Sequence, residues 1–197
     1  MNAAALQPTP RRSSSLPMLA LVASLLALPF VIAGGLFVVG WQPARTANHG
    51  ELLSPPLPLP ASGLFGTDGQ PLATAELHGK WLLVLSGSGP CTKECDVRID
   101  EMRRIQVSLN KEMGRLRRVV LTDQPADPAL ASARQRQPDL LLARAPAGWL
   151  PGPPRPADYR LHVVDPQGKL IMDYPVDVAA KDVRFDLDRL LKFAWTG

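Results

Sequence analysis

Two cysteines, Cys91 and Cys95, are the residues whose type and spacing suggest chemistry in this chain. On an α-helix, residues four positions apart lie on the same face, about one turn from each other. The pattern around them places Cys91 at or before the first turn of a helix, where free backbone N–H groups and the helix dipole stabilise negative charge. The pKa of the Cys91 thiol is therefore expected to lie below its ordinary value, which favours a thiolate. Cys95 would act as a resolving thiol or as a second metal ligand.

Three interpretations of this cysteine pair remain open. A redox pair would close a short disulfide and exchange it with the thiols of a partner. A metal pair would hold a soft ion such as Cu(I) through two thiolates. A structural pair would be a static disulfide or two small buried side chains. The neighbouring charges act in opposite directions, since Lys93 favours a thiolate and Glu94 disfavours it.

The composition limits the class of protein. The chain has 197 residues, of which 46% are hydrophobic, enough for one domain with an appendage and too apolar for a wholly disordered chain. Its 2 cysteines exclude a disulfide-rich scaffold and a four-cysteine zinc site. The net charge is only +4, and Arg11 and Arg12 contribute two of these charges, so nothing indicates a nucleic-acid partner.

Residues 16–41 carry no charged side chain and are long enough to span a bilayer as a helix. Arg11 and Arg12 precede this stretch, and the next charge is Arg45. The positive-inside rule therefore predicts that residues 1–15 lie in the cytoplasm. The remainder of the chain would lie on the periplasmic side of the cytoplasmic (inner) membrane.

The alternative for this stretch is a cleaved signal peptide. The apolar region of a signal peptide is about 7–15 residues long and ends at a small-residue site. Here the apolar run continues through Val38 and Val39, beyond its small-residue cluster. A retained single-pass anchor is therefore favoured, and the domain that follows it would face a compartment in which disulfides persist.

Residues 42–61 are rich in proline and predict an extended, semi-rigid tether. Residues 62–197 predict the folded domain, in which a buried strand and a loop lead to a cysteine at the start of a helix. This order predicts an α/β fold, namely a thioredoxin-like sandwich preceded by one transmembrane helix. The predicted strands are 81–86, 117–122, 140–143, 159–164 and 169–174, and the predicted helices are 92–113, ended by Gly114, 127–137 and 178–194.

Several stretches of this chain resemble the Sco/SenC family, membrane-anchored thioredoxin-fold proteins that help to assemble the copper centre of cytochrome c oxidase. The likeness starts near Leu64 and rests on LFGTDGQPLATAELHGKWLLVLSGSG, the Cys-x3-Cys spacing, RRVVLT and YRLHVVDPQGKLIMDY. The resemblance implies an accessory role in respiratory oxidase assembly. Its partner would be a cytochrome c oxidase subunit or another copper or redox assembly protein, and copper is a candidate cofactor.

In this resemblance, Cys91 and Cys95 match the two thiol ligands of the family. The third family ligand is a histidine, and the matching position here is Ala157. His162 lies five residues further on, and an odd offset along a strand points a side chain to the opposite face. His162 is therefore interpreted as a partly exposed strand residue. Two thiolates without a histidine imply a two-coordinate Cu(I) site or thiol–disulfide exchange.

Other residues near these motifs have simpler interpretations. Thioredoxin-type reductases place a cis-proline before the strand that faces their cysteines, and here that slot falls near Tyr159, three positions from Pro156. His49 is interpreted as a solvated tether residue, and His78 is expected in a turn. Trp149 is expected to cover the edge of the core, with contact to a partner as the alternative.

These observations give one leading hypothesis and two alternatives. In the leading hypothesis, the chain is an oxidase assembly factor in which Cys91 attacks a partner disulfide and Cys95 resolves the mixed disulfide. In the first alternative, the same cysteines carry Cu(I) as a copper chaperone. In the second, the chain is an assembly scaffold that has kept the fold without the chemistry.

Overall fold

The structure is a computed structural model in which the chain forms two compact units, Met1–Thr46 and Ala47–Gly197. It describes residues 16–41, 48–60, 63–146, 149–150 and 158–193. In the first unit it describes helix α1, Leu16–Val38, which has no buried residue. This helix is 23 residues long with a mean hydropathy of 2.4, which is long and apolar enough to cross a membrane. The predicted span of residues 16–41 thus contains a helix that ends at Val38.

The second unit alternates strands with helices. The strands are β1 (Glu51–Pro58), β2 (Phe65–Gly66), β3 (Trp81–Ser86), β4 (Leu116–Leu121), β5 (Leu141–Arg144), β6 (Arg160–Val164) and β7 (Lys169–Asp173). The helices are α2 (Thr74–Leu77), α3 (Lys93–Ser108), α4 (Pro128–Arg136) and α5 (Ala180–Phe193), with a 3-10 helix at Asn110–Arg115.

Within the described residues, the strands form one mixed sheet with the order β1-β7-β6-β3-β4-β5-β2. The central strands β3, β4 and β5 are parallel to each other. The other pairs, β3 with β6, β6 with β7, β7 with β1, and β5 with β2, are antiparallel. Strand β3 is an uninterrupted run of buried apolar residues, as expected for a strand covered on both faces. It leads directly into the cysteine loop.

Alternating residues of β3 face two different cores. Leu83 and Leu85 belong to the first core, which packs against α3, α4 and α5. Leu82 and Val84 belong to the second core, which is closed by Leu77 of α2 and by partly buried residues from the loops and β1. The cysteines belong to the first core.

Helix α3 forms because its buried residues recur every three or four positions. It ends at Ser108, five residues before the end of the predicted helix, so that part of the prediction is wrong. Asn110 has a positive φ of 52° and starts a 3-10 helix, so the α-helix stops there and not at Gly114. The other predicted strands and helices are found within one or two residues of their predicted ends.

The predicted tether, residues 42–61, also needs correction, because Glu51–Pro58 form the edge strand β1, paired with β7. Prolines are compatible with an edge strand because the outer row of N–H groups has no strand to bond. Leu53 and Leu57 pack against the second core, which explains why this segment joins the sheet. The prolines of this segment predict a tether, whereas Leu53 and Leu57, on one face of the strand, are the residues that attach it to the domain.

The segment before β1 is fixed by the carboxylate of Asp186 in α5. The backbone N–H groups of His49 and Gly50 donate to Asp186 Oδ2, each at 2.9 Å, and Tyr174 donates to the same oxygen at 3.2 Å. Burial of the phenol and the adjacent Asp186 charge raise the pKa of Tyr174 above its usual value, so its hydroxyl stays protonated. Gly50 lies so close to Met172 that a side chain at this position would collide with it.

A buried arginine joins α3, β4 and the end of α4. Arg118, which is 1% exposed, donates to Gln106 at 2.7 Å, to Gln137, and to both oxygens of Asp139 at 2.8 Å. Burial of Asp139 alone would raise its pKa, but the hydrogen bonds and charge of Arg118 outweigh it and hold that pKa below its usual value.

Candidate functional site

Cys91 and Cys95 are bonded to each other in a disulfide, with their Cα atoms 5.3 Å apart. Cys91 precedes Thr92, the N-cap of α3, and therefore lies just before the first turn of the helix, within the predicted position. Cys95 is the third residue of α3 and lies in its first turn. The structure thus brings the two sequence-predicted site residues together at the start of the helix.

The loop between β3 and α3 packs tightly against Tyr159. Gly87 lies against the aromatic ring, where an added Cβ would come within 2.5 Å of it. The Tyr159 hydroxyl donates to the carbonyl of Gly89 at 3.1 Å. Burial raises the pKa of Tyr159, so its hydroxyl remains a donor at neutral pH. Gly89 has a φ of 80°, a conformation that glycine adopts readily.

Two carboxylates, which sequence reasoning missed, hold the same loop from the β4–α4 connection. Asp123 Oδ1 accepts from the backbone N–H of Gly89 at 2.9 Å. Asp127 Oδ2 accepts from the backbone N–H of Cys91 at 3.0 Å. The other Asp127 oxygen accepts from Ala129 at 2.8 Å and caps α4. An Asp-Pro pair at a predicted helix start signals the cap, but no sequence pattern signals the bond to Cys91.

The disulfide lies in the first core but borders two clefts. A cleft of about 700 Å³ reaches Cys95 and is lined by Val97, Tyr159 and Val176. A second cleft, of about 360 Å³, reaches Cys91 between the start of α3 and the length of α4. Cys91 is 8% exposed and Cys95 is 2% exposed. Both cysteines are therefore buried, and each borders one of the two clefts.

The charges at the start of α3 are of both signs. Glu94 has a lowered pKa because the Thr92 side chain donates to it, so this exposed carboxylate stays ionised. Lys93 adjoins it along the chain and lines both clefts. Asp96 is paired with Arg136 of α4, with a nitrogen–oxygen distance of 2.6 Å. The start of α3 thus carries charges of both signs beside the apolar lining of the larger cleft.

His162 does not join the cysteines. It follows the alternation of Val164 and so faces the second core, as the odd sequence offset predicts. The expectation that His162 is partly exposed is wrong, because the residue is 1% exposed. Its Nε2 lies 2.7 Å from Ser86 Oγ, and its Nδ1 lies 3.1 Å from Asp173 Oδ1. Arg160 pairs with the other oxygen of Asp173 at 2.8 Å.

This Ser86–His162–Asp173 cluster has the residue types of a hydrolytic triad, yet its burial argues for another role. A general base must reach the proton that it removes from a nucleophile presented to substrate. The imidazole is enclosed between β3, β6 and β7, so the cluster links three strands. Its hydrogen bond is the one between Ser86 and His162, since His162 Nδ1 and Asp173 Oδ1 are close but have no hydrogen-bond partner among the described residues. We interpret the cluster as a structural contact between these strands.

The other histidines also lie away from the cysteines. His49, at the segment fixed by Asp186, has a half-exposed ring that lies 3.7 Å from Asp182 and packs edge-on against Phe185. His78 is exposed in a bend next to Gly168, as the sequence predicts. Among the described residues, no three His, Cys, Asp or Glu side chains are grouped as a metal site.

Two further sequence predictions fall near this region. Ala157, at the position of the family's histidine ligand, and Pro156 lie outside the described residues. Trp149 packs against the second core and donates from Nε1 to the carbonyl of Pro58 at 2.8 Å. This contact agrees with the expectation that Trp149 covers the edge of the core.

The fold and the Cys-x3-Cys loop define a thioredoxin-like protein with one apolar N-terminal helix, as expected from the sequence. The family model described as "Transmembrane-like, thioredoxin-like, C-terminal domain" matches residues 81–194. The chain belongs to this family. The apolar helix and this family description together indicate a single-pass membrane anchor.

The fold is also that of solved Sco proteins. Apo Sco1 from Thermus thermophilus matches 75% of this chain and 99% of its own, with 21% identity and a TM-score of 0.54. BsSco, described with a disulfide switch, matches 75% and 99%, with 15% identity and a TM-score of 0.52. Yeast Sco1 with copper bound matches 75% and 90%, with 17% identity and a TM-score of 0.50. The resemblance to Sco/SenC is thus confirmed at the level of the fold. No curated protein matches the chain.

Proposed function

We propose that this chain is a membrane-anchored accessory factor for respiratory cytochrome c oxidase assembly that acts by thiol–disulfide exchange through Cys91 and Cys95. The observation that carries the proposal is the disulfide itself, which lies at a strand–loop–helix junction and borders two clefts. The Sco proteins that share this fold include a protein described as having a disulfide switch and another described with copper bound.

The proposed reaction uses the two thiols in order. The Cys91 thiolate attacks one sulfur of a partner disulfide, a mixed disulfide forms, and the other partner sulfur leaves as a thiolate that takes up a proton. The Cys95 thiolate then attacks the Cys91 sulfur, forms the intramolecular disulfide and releases the second partner thiol. Two electrons pass to the partner, and the chain ends in the oxidised state seen here. A thiol reductant must reduce it again.

The proposed location follows from the anchor. Arg11 and Arg12 precede the apolar stretch, so the positive-inside rule places residues 1–15 in the cytoplasm and the thioredoxin-like domain on the periplasmic side of the inner membrane. In that compartment a disulfide persists unless a dedicated reductant removes it. The partner would be an oxidase subunit or another copper or redox assembly protein whose cysteines must be reduced.

The reaction is tested on the full-length protein in detergent micelles. Equilibration with dithiothreitol and glutathione buffers, followed by alkylation and mass spectrometry, measures whether the cysteine pair cycles. We expect a single two-electron transition. The Cys95→Ser variant should accumulate a mixed disulfide through Cys91, whereas Cys91→Ser, the matched control, should not. A pair that resists reduction until the protein unfolds would rule out exchange as its function.

Copper transfer is a second candidate, in which the same cysteines hold Cu(I) as cargo. Two thiolates suit a soft, low-coordinate ion, and no third ligand is grouped with them among the described residues. The reduced pair should therefore bind one Cu(I) in an anaerobic titration of the full-length protein. Binding should disappear in Cys91→Ser and in Cys95→Ser. The absence of stoichiometric binding would exclude this role and leave exchange.

An experiment in cells distinguishes a scaffold without chemistry from both cysteine-dependent roles. A strain that carries the double variant, Cys91→Ser with Cys95→Ser, should assemble less oxidase if either cysteine role is correct. The readout is the oxidase content of the membranes, with the expression level of the variant measured in the same samples. Normal oxidase content at normal expression would favour the scaffold.

A further inference from the structure

The carboxylate of Asp127 is shared between two structural elements at the disulfide. One oxygen caps α4 through the N–H of Ala129, and the other accepts the N–H of Cys91 at 3.0 Å. Capping alone would be satisfied by a serine or an asparagine, since these residues serve equally well at the N-cap. The second contact therefore is not explained by helix capping.

This second contact bears on the redox equilibrium of the pair. Reduction of the disulfide adds two electrons and two protons, and a reduced pair that reacts must carry negative charge on sulfur. The carboxylate of Asp127 is hydrogen-bonded to the backbone of Cys91 and disfavours such charge beside it. The same bond holds the Cys91 backbone in the conformation of the disulfide-bonded loop.

We propose that Asp127 is a positioning residue that biases the Cys91–Cys95 pair toward the disulfide by holding the Cys91 backbone N–H and placing a negative charge beside it. The proposal rests on the proposed exchange function, since it concerns the equilibrium of that same pair. The co-reactant is a thiol reductant, one dithiol or two monothiols, which supplies two electrons and two protons and becomes a disulfide. Asp127 does not itself react.

The chain provides a matched control for this proposal. Asp123 lies in the same β4–α4 connection, carries the same charge and accepts a backbone N–H from the same loop, at Gly89 instead of Cys91. Asp123→Asn removes one charge from the carboxylate that contacts Gly89, which is two positions before Cys91. Asp127→Ser retains a capping oxygen for α4 but has no carboxylate to reach Cys91. Asp127→Asn retains the size of the side chain and removes its charge.

The experiment measures the thiol–disulfide equilibrium constant of the full-length protein in detergent against glutathione. We expect Asp127→Asn and Asp127→Ser to be reduced about tenfold more readily, equivalent to ~30 mV for a two-electron couple. Asp123→Asn should change the constant less than about twofold, because its hydrogen bond is to Gly89 and not to the cysteine. Thermal unfolding of each variant is recorded alongside.

The outcomes separate this proposal from the function on which it rests. A wild-type pair that does not cycle removes the exchange function and the proposal with it. A wild-type pair that cycles, with folded Asp127 variants within twofold of it, overturns the proposal alone. An Asp123→Asn effect as large as that of Asp127→Asn also overturns it, and so does the failure of both Asp127 variants to fold, because either result makes the contact at Cys91 merely structural.

Discussion

Two groups of side chains, a disulfide and a polar cluster, lie at the same end of the sheet, on its opposite faces, and they differ in access. On the helix side, the Cys91–Cys95 disulfide borders two clefts. On the other side, Ser86, His162 and Asp173 form a cluster whose imidazole is 1% exposed. Strand β3 feeds both, since Ser86 is its last residue and Cys91 follows five positions later. The comparison predicts that the proposed exchange takes place on the helix side, and that the other cluster has a structural role.

The largest expected effect concerns the cysteines. Changing either Cys91 or Cys95 to serine should abolish catalytic exchange with a disulfide substrate, because a single thiol can neither be resolved nor regenerated. Ser86→Ala should retain at least about half of the wild-type rate, since its hydroxyl faces the second core. Both are measured by turnover of a fluorescent disulfide. Loss of exchange in folded Ser86→Ala would show that the buried cluster takes part in the chemistry.

The next effect concerns stability. His162→Ala should lower the free energy of unfolding by about 3 kcal/mol, because it leaves a cavity and removes the partner of Ser86. Denaturant unfolding followed by tryptophan fluorescence measures this loss. The exposed His78→Ala is the control and should change stability by less than about 0.5 kcal/mol. If the thiol–disulfide equilibrium moved more than twofold in folded His162→Ala, the two faces would not be independent.

Gly87→Ala should have a smaller effect on stability, about 2 kcal/mol, because its Cβ would overlap the Tyr159 ring. The displaced ring would weaken the bond to Gly89, so exchange should also slow several-fold. Gly114→Ala is the matched control, since open space surrounds that position. Equal stability and equal exchange rates in the two variants would show that packing of Tyr159 does not position the cysteine loop.

The smallest effect should come from Asp139→Asn, which alters an ion pair away from both clusters and lowers stability by about 1 kcal/mol at pH 7. Because the pKa of Asp139 is lowered in the folded state, its contribution is present above the unfolded-state pKa and disappears as pH falls through the folded-state pKa. Unfolding of wild type and variant should therefore converge in acid. A difference that persists at low pH would assign the effect to packing.

Much of the fold could be predicted from local patterns. Strand β3 is recognised by its continuous apolar run, because both of its faces are buried. Helix α3 is recognised by apolar residues every three or four positions, because one side of it is buried. Strand β1 could not be found this way. Its prolines are typical of an extended tether, and only its pairing with β7 across more than a hundred residues makes it a strand.

The sequence predicts that the two cysteines lie together, but it does not predict which residues contact them. The spacing of Cys91 and Cys95 indicates that they can meet. The contacts of Asp123 and Asp127 arise from a connection in a distant part of the chain, and local sequence carries no information about such contacts. The burial of His162 depends likewise on its neighbours β3 and β7 and not on its own strand.

The attachment of residues 49 and 50 to α5 determines where the domain can be separated from its anchor. A recombinant fragment that starts at residue 62, the predicted domain boundary, would lack β1 and both backbone donors to the buried Asp186. Its β7 would become an open sheet edge that invites aggregation. A fragment or proteolytic product that starts at Ala47 keeps the strand and the donors, so release of an intact domain requires cleavage before His49.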